Sequence, residues 1–210
     1  RQGWLCVSDR YNDAPDQASR AFDLNRDGFV IAGGSGMLIL EEEEHALKRN
    51  APIIARLAGY CANSDGYDMV SPSGEGATRC MNEALEIYGG DIDYINAHGT
   101  STMMNDMIET LAIKIALGED NAKKVAISSS KSMVGHLVGA AAAVEGIACA
   151  YTLANGVAHP TKNLDNPDVE NGCDLDYIPN EPRESDFKTA LSTSLGFGGH
   201  NVCLAFRKFE

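Results

Sequence analysis

The chain has 210 residues, 44% of them hydrophobic, which is enough to bury the core of one domain of ordinary size. It carries 30 acidic against 17 basic side chains, and a net charge of −13 would repel phosphate backbones and anionic lipid. Composition therefore argues against binding to nucleic acid or to a membrane surface.

The six cysteines are scattered without a C-x-x-C pair, which disfavours a zinc ribbon and a disulfide framework. We expect them to be buried thiols in a reducing compartment: Cys6, Cys61, Cys80, Cys149, Cys173 and Cys203. No apolar run reaches the roughly 20 residues of a membrane span, and no secretory signal is present, so the expected location is cytoplasmic. The chain opens at Arg1 without a methionine, and we expect the N-terminal part of a longer protein to precede it.

The first predicted elements are a strand pair over 28–32 and 37–40 and a helix over 41–48. The glycine-rich segment 33–36 between the two strands lacks the spacing of a nucleotide-binding loop. His45 is expected on the exposed face of the helix. The segment Asn50-Ala51-Pro52 is the best candidate for a domain boundary.

Strands and helices alternate beyond this boundary. The predicted strands begin at 53, 92, 125, 191 and 201, and the predicted helices cover 74–88, 106–117 and 135–155. This order predicts an α/β fold, with a mixed sheet between helices. Ligands of such sheets gather beyond the carboxyl ends of the strands, which is where His98 and Lys131 fall.

His98 follows the predicted strand 92–97 directly, in the segment Asn96-Ala97-His98-Gly99-Thr100-Ser101-Thr102. It is either a functional histidine that faces a pocket, or a histidine whose ring bonds the loop backbone. The local sequence leaves both interpretations open.

Lys131 and His136 lie five residues apart, at the turn from a strand to the predicted helix 135–155. In the first turn of a helix, His136 would have a lowered pKa and could donate an N–H to an oxygen that gains negative charge. The alternative is a helix-start histidine and a surface lysine. A buried Glu145 would need a cation or donor partner, for which Lys131 is one candidate.

Asp106 and Glu109 are three residues apart at the start of a predicted helix, which favours a capping pair over a catalytic one. The segment Gly196-Phe197-Gly198-Gly199 between two strands would expose backbone N–H groups suited to an oxyanion hole, or form an ordinary tight turn. His159 is interpreted as a turn residue.

Together, these segments resemble the β-ketoacyl-acyl carrier protein synthases. The resemblance rests on Asn96-Ala97-His98-Gly99-Thr100-Ser101-Thr102, Lys131-Ser132-Met133-x-Gly135-His136 and Gly196-Phe197-Gly198-Gly199-x-Asn201. It runs in order over essentially all 210 residues, and segments 11–15, 31–34 and 68–76 look more like the type I enzymes of fatty acid synthesis.

The resemblance implies a thiolase-like fold of two similar halves in a homodimer. Residues 1–50 would be the end of the N-terminal half, and residues 51–210 the C-terminal half with a mixed five-stranded sheet. The nucleophilic cysteine of the family lies upstream, and none of the six cysteines here matches its motif. We therefore expect the chain alone to be inactive. Because the two halves of this fold share a large interface, we also expect it to be poorly stable.

The resemblance also implies a reaction and its residues. His98 and His136 would bind a malonyl thioester and stabilise the enolate formed on loss of carbon dioxide, with Lys131 in support, paired with Glu109 or Glu145. Phe197 would be the gate, with its N–H in the oxyanion hole. Further substrate-binding and supporting positions would be Gly198, Thr100, Thr102 and Asp106.

Acyl and malonyl groups would arrive on an acyl carrier protein, and no cofactor or metal is implied. Carrier proteins are acidic, so docking needs a basic patch, for which Arg49 and Lys123-Lys124 are weak candidates. The alternatives are a non-catalytic partner of the chain-length-factor type, a polyketide ketosynthase or, less in keeping with the Gly-rich loop, a thiolase. Four positions depart from the family pattern: Met103, Val134, Leu195 and His200. Of these, Leu195 and His200 leave the preferred acyl chain length open.

Overall fold

The structure, a computed structural model, describes residues 7–210, so Cys6 lies outside the described residues. The strands of this region are β1 (Ala55–Ser64), β2 (Tyr94–Asn96), β3 (Ala126–Ser128), β4 (Val157–Ala158), β5 (Arg183–Glu184), β6 (Thr189–Gly196) and β7 (His200–Lys208). Its α-helices are α1 (Glu43–Lys48), α2 (Glu75–Tyr88), α3 (Met103–Leu117), α4 (Glu119–Ala122), α5 (Lys131–Val134) and α6 (Ala141–Asn155).

Five strands form one mixed sheet in the order β1-β7-β6-β2-β3, and β4 and β5 form a separate two-stranded ladder. Strand β2 pairs in parallel with both β3 and β6, whereas β7 runs antiparallel to β6 and to β1. The carboxyl ends of β2, β3 and β6 therefore share one edge of the sheet.

Alternate residues of the central strands enter two different cores, because successive side chains of a strand point to opposite faces. On one face, Ile95, Ile127 and Leu191 pack with helices α2 and α3. On the other face, Tyr94, Ala126 and Ala190 pack with Cys149 and Leu153 of α6. The predicted five-stranded sheet between helices is confirmed.

Helix α6 covers the sheet despite its membrane-like composition. Among the described residues, the stretch Val138–Asn155 is long and apolar enough by length and composition to cross a bilayer. Here Leu153 is buried against the sheet and Glu145 is buried in an ion pair. The stretch thus serves as a core helix of this fold.

The predicted hairpin over 28–32 and 37–40 is wrong. The backbone of the first segment is bonded elsewhere, since His136 N–H donates to the Val30 carbonyl over 2.7 Å and Ala32 N–H donates to the His136 carbonyl over 3.0 Å. Residues 32–42 have no regular structure, and Met37 and Ile39 are 81% and 82% exposed. Pairing with His136, which is distant in sequence, thus replaces the predicted pairing of 28–32 with 37–40.

The predicted helix 135–155 is right only from Ala141 onward. Gly135 ends the short helix α5 with a φ of +73°, and a Cβ at this position would meet the Val30 carbonyl oxygen at 3.0 Å. A 3₁₀ turn, Val138–Ala140, then leads into α6. His136 consequently lies in an extended segment before the helix rather than in its first turn.

Candidate functional site

The three predicted motifs meet at the shared carboxyl edge of the sheet. Asn96 at the end of β2 is level with Ser128 of β3 and with Ser192 of β6. His98 follows two residues after Asn96, and Lys131 three residues after Ser128. Their co-location, expected from strand order alone, is confirmed by the contacts between them.

Lys131 joins a histidine and a carboxylate in the interior. Its Nζ atom lies 3.2 Å from Nδ1 of His98 and forms an ion pair with Glu145. The side chains of Lys131 and Glu145 are only 2% and 1% exposed. Of the two expected partners of the lysine, Glu145 and not Glu109 is thus the one it contacts.

The contacts of His98 determine which of its ring nitrogens carries the proton. An ammonium group has only donors, so Nδ1 of His98 accepts and Nε2 bears the hydrogen. Burial, then the charges of Lys131 and of His136, hold the pKa of His98 well below its ordinary value. His98 is therefore a neutral imidazole whose Nε2–H can donate.

His136 has the same tautomer for a different reason. The backbone N–H of Val138 donates to Nδ1 of His136 over 3.0 Å, which leaves the proton on Nε2. Burial and then the charge of Lys131 lower the pKa of His136 to about 4. The expected direction of this shift is confirmed, but the helix dipole is not its cause, because α6 begins only at Ala141. The rings of His98 and His136 meet edge-on, with centroids 5.4 Å apart.

Glu109 fixes the loop that carries His98. Its carboxylate accepts the N–H groups of His98 and Gly99 over 2.7 and 2.8 Å, and the hydroxyl of Thr193 over 2.7 Å. The predicted capping pair of Asp106 and Glu109 is therefore wrong. The N-cap of α3 is Thr102, whose hydroxyl accepts from the third residue of that helix.

Asp106 belongs to a buried charge network centred on Arg26. The guanidinium of Arg26 donates to Asp168 over 2.8 Å and to the carbonyls of Thr102 and Met103 over 3.1 and 3.0 Å, and its Nε lies 3.5 Å from Asp106. Burial, opposed by the charge of Arg26, raises the pKa of Asp106 to about 6. The sequence did not predict this role of Arg26, because no periodicity marks a single buried charge.

The two threonines of the His98 loop contact each other. The hydroxyls of Thr100 and Thr102 lie 2.9 Å apart, and Thr100 is buried beside the histidine segment. Thr102 also caps α3, so its hydroxyl has a structural partner already. Any contact of these residues with a substrate remains a prediction.

The Gly-rich turn lies further out than the histidines. Ser192 is level with Asn96, so Phe197 lies three residues beyond the level of His98, or roughly 10 Å along the strand direction. Phe197 is 58% exposed, and within residues 7–210 its ring stacks on neither histidine. Gly198 N–H donates to the Met69 carbonyl over 2.7 Å, so this amide is not free for an oxyanion.

The positions that depart from the family pattern lie around this edge. Met103 and Val134 are exposed, and Leu195 packs against the core beneath α2 and α3. His200 is exposed opposite Gly196, at the start of β7.

The expected basic residues are largely neutralised by neighbours. Arg49 forms a two-point contact with Glu41, and Lys123 pairs with Glu119 over 3.0 Å. Lys124 reaches only the Asn121 side chain, at 3.5 Å. These three do not form a continuous basic patch.

The described cysteines are buried free thiols. Burial raises the pKa of Cys61 and of Cys173 to about 12, and it raises those of Cys80, Cys149 and Cys203 as well. Over residues 7–210, no group of three or more His, Cys, Asp or Glu side chains could hold a metal ion.

The chain matches a known protein family and several curated relatives. Residues 54–165 match the family described as "Beta-ketoacyl synthase, C-terminal domain". Curated relatives include 3-oxoacyl-[acyl-carrier-protein] synthase 2 of Synechocystis, 50% identical over 95% of this chain and 48% of its own length. Synthase 1 of Escherichia coli K12 is 47% identical over 97% of this chain and 49% of its own length.

Solved structures show the same fold. One is a type II polyketide ketosynthase in complex with its acyl carrier protein, with a TM-score of 0.92 and 42% identity over 98% of this chain and 51% of that chain. Another is a β-ketoacyl synthase from Burkholderia phymatum, with a TM-score of 0.90 and 38% identity over 98% of this chain and 50% of that chain. The chain spans about half the length of the curated relatives it matches. By the family match and by this thiolase-like fold, the chain belongs to the β-ketoacyl synthases, of which it carries the C-terminal domain.

Proposed function

We propose that the intact protein is a 3-oxoacyl-acyl carrier protein synthase of fatty acid synthesis, an acyltransferase that condenses an acyl-enzyme with a malonyl thioester. The observation that carries the proposal is the pair of neutral histidines, His98 and His136, each with its proton on Nε2. The names of the curated relatives support the same reaction class.

The proposed chemistry requires an oxyanion site. When the malonyl group loses carbon dioxide, its C–C bond breaks and the electron pair moves to the thioester carbonyl, which becomes an enolate. Two N–H donors from His98 and His136 stabilise this oxygen. The carbon of the enolate then attacks the acyl thioester, and the nucleophilic sulfur leaves as a thiolate.

Lys131 acts on this site through its charge. The ammonium lies beside His98 and disfavours its protonation, and Glu145 compensates the lysine in the interior. Neutral histidines remain donors through the pH range in which free imidazole would become charged. Glu109 holds the backbone at His98, and therefore the ring, in place.

Other parts of the proposal concern the whole protein. The nucleophile is a cysteine supplied by an upstream segment, and acyl and malonyl groups arrive on an acyl carrier protein. The ketosynthase among the similar structures is bound to such a carrier, which supports this partner. We propose further a homodimer in the cytoplasm, with Phe197 as the gate over the acyl site.

The direct test measures carbon dioxide release from malonyl-acyl carrier protein by the intact protein. His136→Ala should abolish decarboxylation, whereas His45→Ala should not, because His45 is an exposed surface histidine 3.3 Å from Glu41. Full activity of the His136→Ala variant would overturn the role assigned to this residue.

Two alternatives remain for the same fold. A non-catalytic chain-length-factor partner would carry another residue at the upstream cysteine position, which peptide sequencing of the intact protein reveals. A polyketide ketosynthase, the class of one of the similar structures, would release products of repeated condensation without reduction. Product analysis by mass spectrometry separates this case from single two-carbon extension.

A further inference from the structure

A second polar cluster lies on the α6 face of the sheet, beneath the candidate site. We define the His159 cluster as Tyr94, Asn96, Ser128 and His159. Nε2 of His159 lies 3.1 Å from the Tyr94 hydroxyl and 3.1 Å from Nδ2 of Asn96, and Nδ1 lies 3.2 Å from the Ser128 hydroxyl. The hydroxyls of Tyr94 and Ser128 are 2.8 Å apart.

The cluster joins the two strands that end in functional loops. Asn96 and Ser128 are direct cross-strand partners at the carboxyl ends of β2 and β3. His98 follows two residues after Asn96, and Lys131 three residues after Ser128. The imidazole of His159 therefore bridges the bases of the two loops whose side chains meet above it.

The hydrogen bonds identify His159 as a neutral imidazole. Nδ1 lies 3.1 Å from the carbonyl oxygen of Pro160, which can only accept, so Nδ1 carries the proton. Nε2 is then the acceptor for the amide of Asn96. Burial lowers the pKa of His159, against the opposing effect of the Pro160 carbonyl. If the ring were protonated, Nε2 of His159 would carry a hydrogen and face the NH₂ group of Asn96. Two donors would then face each other.

The strand residues of the cluster have no access to water. Tyr94, Asn96 and Ser128 are fully buried, and the second amide atom of Asn96, Oδ1, has no hydrogen-bond partner among the described residues. Loss of the imidazole would leave further buried donors without acceptors, which costs free energy. These donors could regain partners only if the ends of the strands were displaced.

On the basis of this geometry, and resting on the proposed function, we propose that His159 is a positioning residue of the condensing site. It holds the ends of β2 and β3 in one register and thereby sets the distance between Lys131 and His98. It does not touch the reacting atoms. Its replacement should change the rate of the chemical step more than the binding of the malonyl thioester.

The test uses the intact protein and compares His159→Phe with His159→Gln. The phenylalanine fills the space without hydrogen bonds, and kcat for malonyl decarboxylation should fall about tenfold or more, with KM changed by less than about twofold. The glutamine offers both a donor and an acceptor and should recover most of the lost rate.

Tyr177→Phe is the matched control. The Tyr177 hydroxyl is also buried and lies 2.8 Å from a hydroxyl, that of Thr110, but it lies in the core on the opposite face of the sheet and outside the His159 cluster. This variant should lower the melting temperature and leave kcat unchanged. Unchanged kcat in His159→Phe, or an equal loss in Tyr177→Phe, would overturn the proposal.

A second variant and a second readout cover the cases in which His159→Phe does not fold or the proposed function fails. If His159→Phe does not fold, Tyr94→Phe removes a single hydroxyl from the cluster and should still lower kcat, and an unaltered kcat refutes the proposal. If the wild-type protein does not decarboxylate, the proposed function fails, and ¹⁵N signals of His98 become the readout. His159→Phe should shift them and Tyr177→Phe should not, and the reverse result rejects a positioning role.

Discussion

Lys131 donates to Nδ1 of His98 over 3.2 Å, so a buried cation is in direct contact with an imidazole that must remain neutral. The charge of the lysine is balanced on its other side by Glu145. Stability and chemistry at this site therefore depend on the same pair of charges. Variants of Lys131 and Glu145 can separate the effect on stability from the effect on activity.

Lys131→Met should destabilise the fold and abolish decarboxylation. Removing the cation leaves the buried Glu145 carboxylate without compensation, which costs about 3–5 kcal/mol when a buried pair is broken. The double variant Lys131→Met/Glu145→Leu should recover most of the stability but none of the activity. Thermal melts and decarboxylation assays of the three proteins check this. A double variant as unstable as the single one would contradict it.

The titration of His136 should lower the free energy of unfolding as the pH drops from about 6.5 toward 4, while Asp106, whose pKa is raised to about 6, acts in the opposite direction. The pKa of His136 is lowered from 6.5 to about 4 in the folded state, so over this window the unfolded chain binds a proton that the folded chain does not. The contribution is fully present above pH 6.5 and is lost as the pH falls. Urea titrations at a series of pH values give the free energy of unfolding as a function of pH. Its slope should be shallower for His136→Gln than for the wild-type protein, and an identical slope would argue against the lowered pKa.

Glu109→Gln should impair the site although it replaces no reacting group. One of the two carboxylate oxygens becomes an NH₂ group facing an N–H of His98 or Gly99, and a buried donor without an acceptor costs about 1–3 kcal/mol. We expect a lower melting temperature and a lower kcat. Glu83→Gln is the control, because Glu83 is an exposed side chain that accepts from the Cys61 thiol.

The described cysteines should resist alkylation in the native protein. Burial raises the pKa of each thiol, to about 12 for Cys61 and Cys173, so little thiolate is present at neutral pH. Iodoacetamide labelling followed by peptide mass spectrometry should find fast modification only outside residues 7–210. Rapid labelling of Cys61 in folded protein would contradict the burial described here.

The location of the site was predictable from the sequence because it depends on strand order. Motifs that follow parallel strands must share a sheet edge, however far apart they lie in the chain. His98 and Lys131 satisfied this rule, and their contact follows from it. The alternation of apolar residues likewise indicated most strands and helices of the second part of the chain.

The features that the sequence did not reveal depend on partners distant in the chain. Segment 30–32 pairs with His136, more than a hundred residues away, instead of with 37–40. With His136 in this pairing, α6 begins only at Ala141. Glu109 has the spacing of a capping residue, but its carboxylate binds the backbone of His98. Local spacing cannot distinguish these cases, because the competing partner is supplied only by the tertiary fold.

The buried position of Arg26 has a consequence for exchanging parts between family members. This residue ties the early chain to Asp168 and to the start of α3, and Phe22 nearby stacks on Tyr177 with ring centroids 4.0 Å apart. A chimera joined at residues 50–52 would mix one parent's arginine with another parent's carboxylates. With a crossover before Ala18, the arginine, its acceptors and the histidine loop would all come from the same parent.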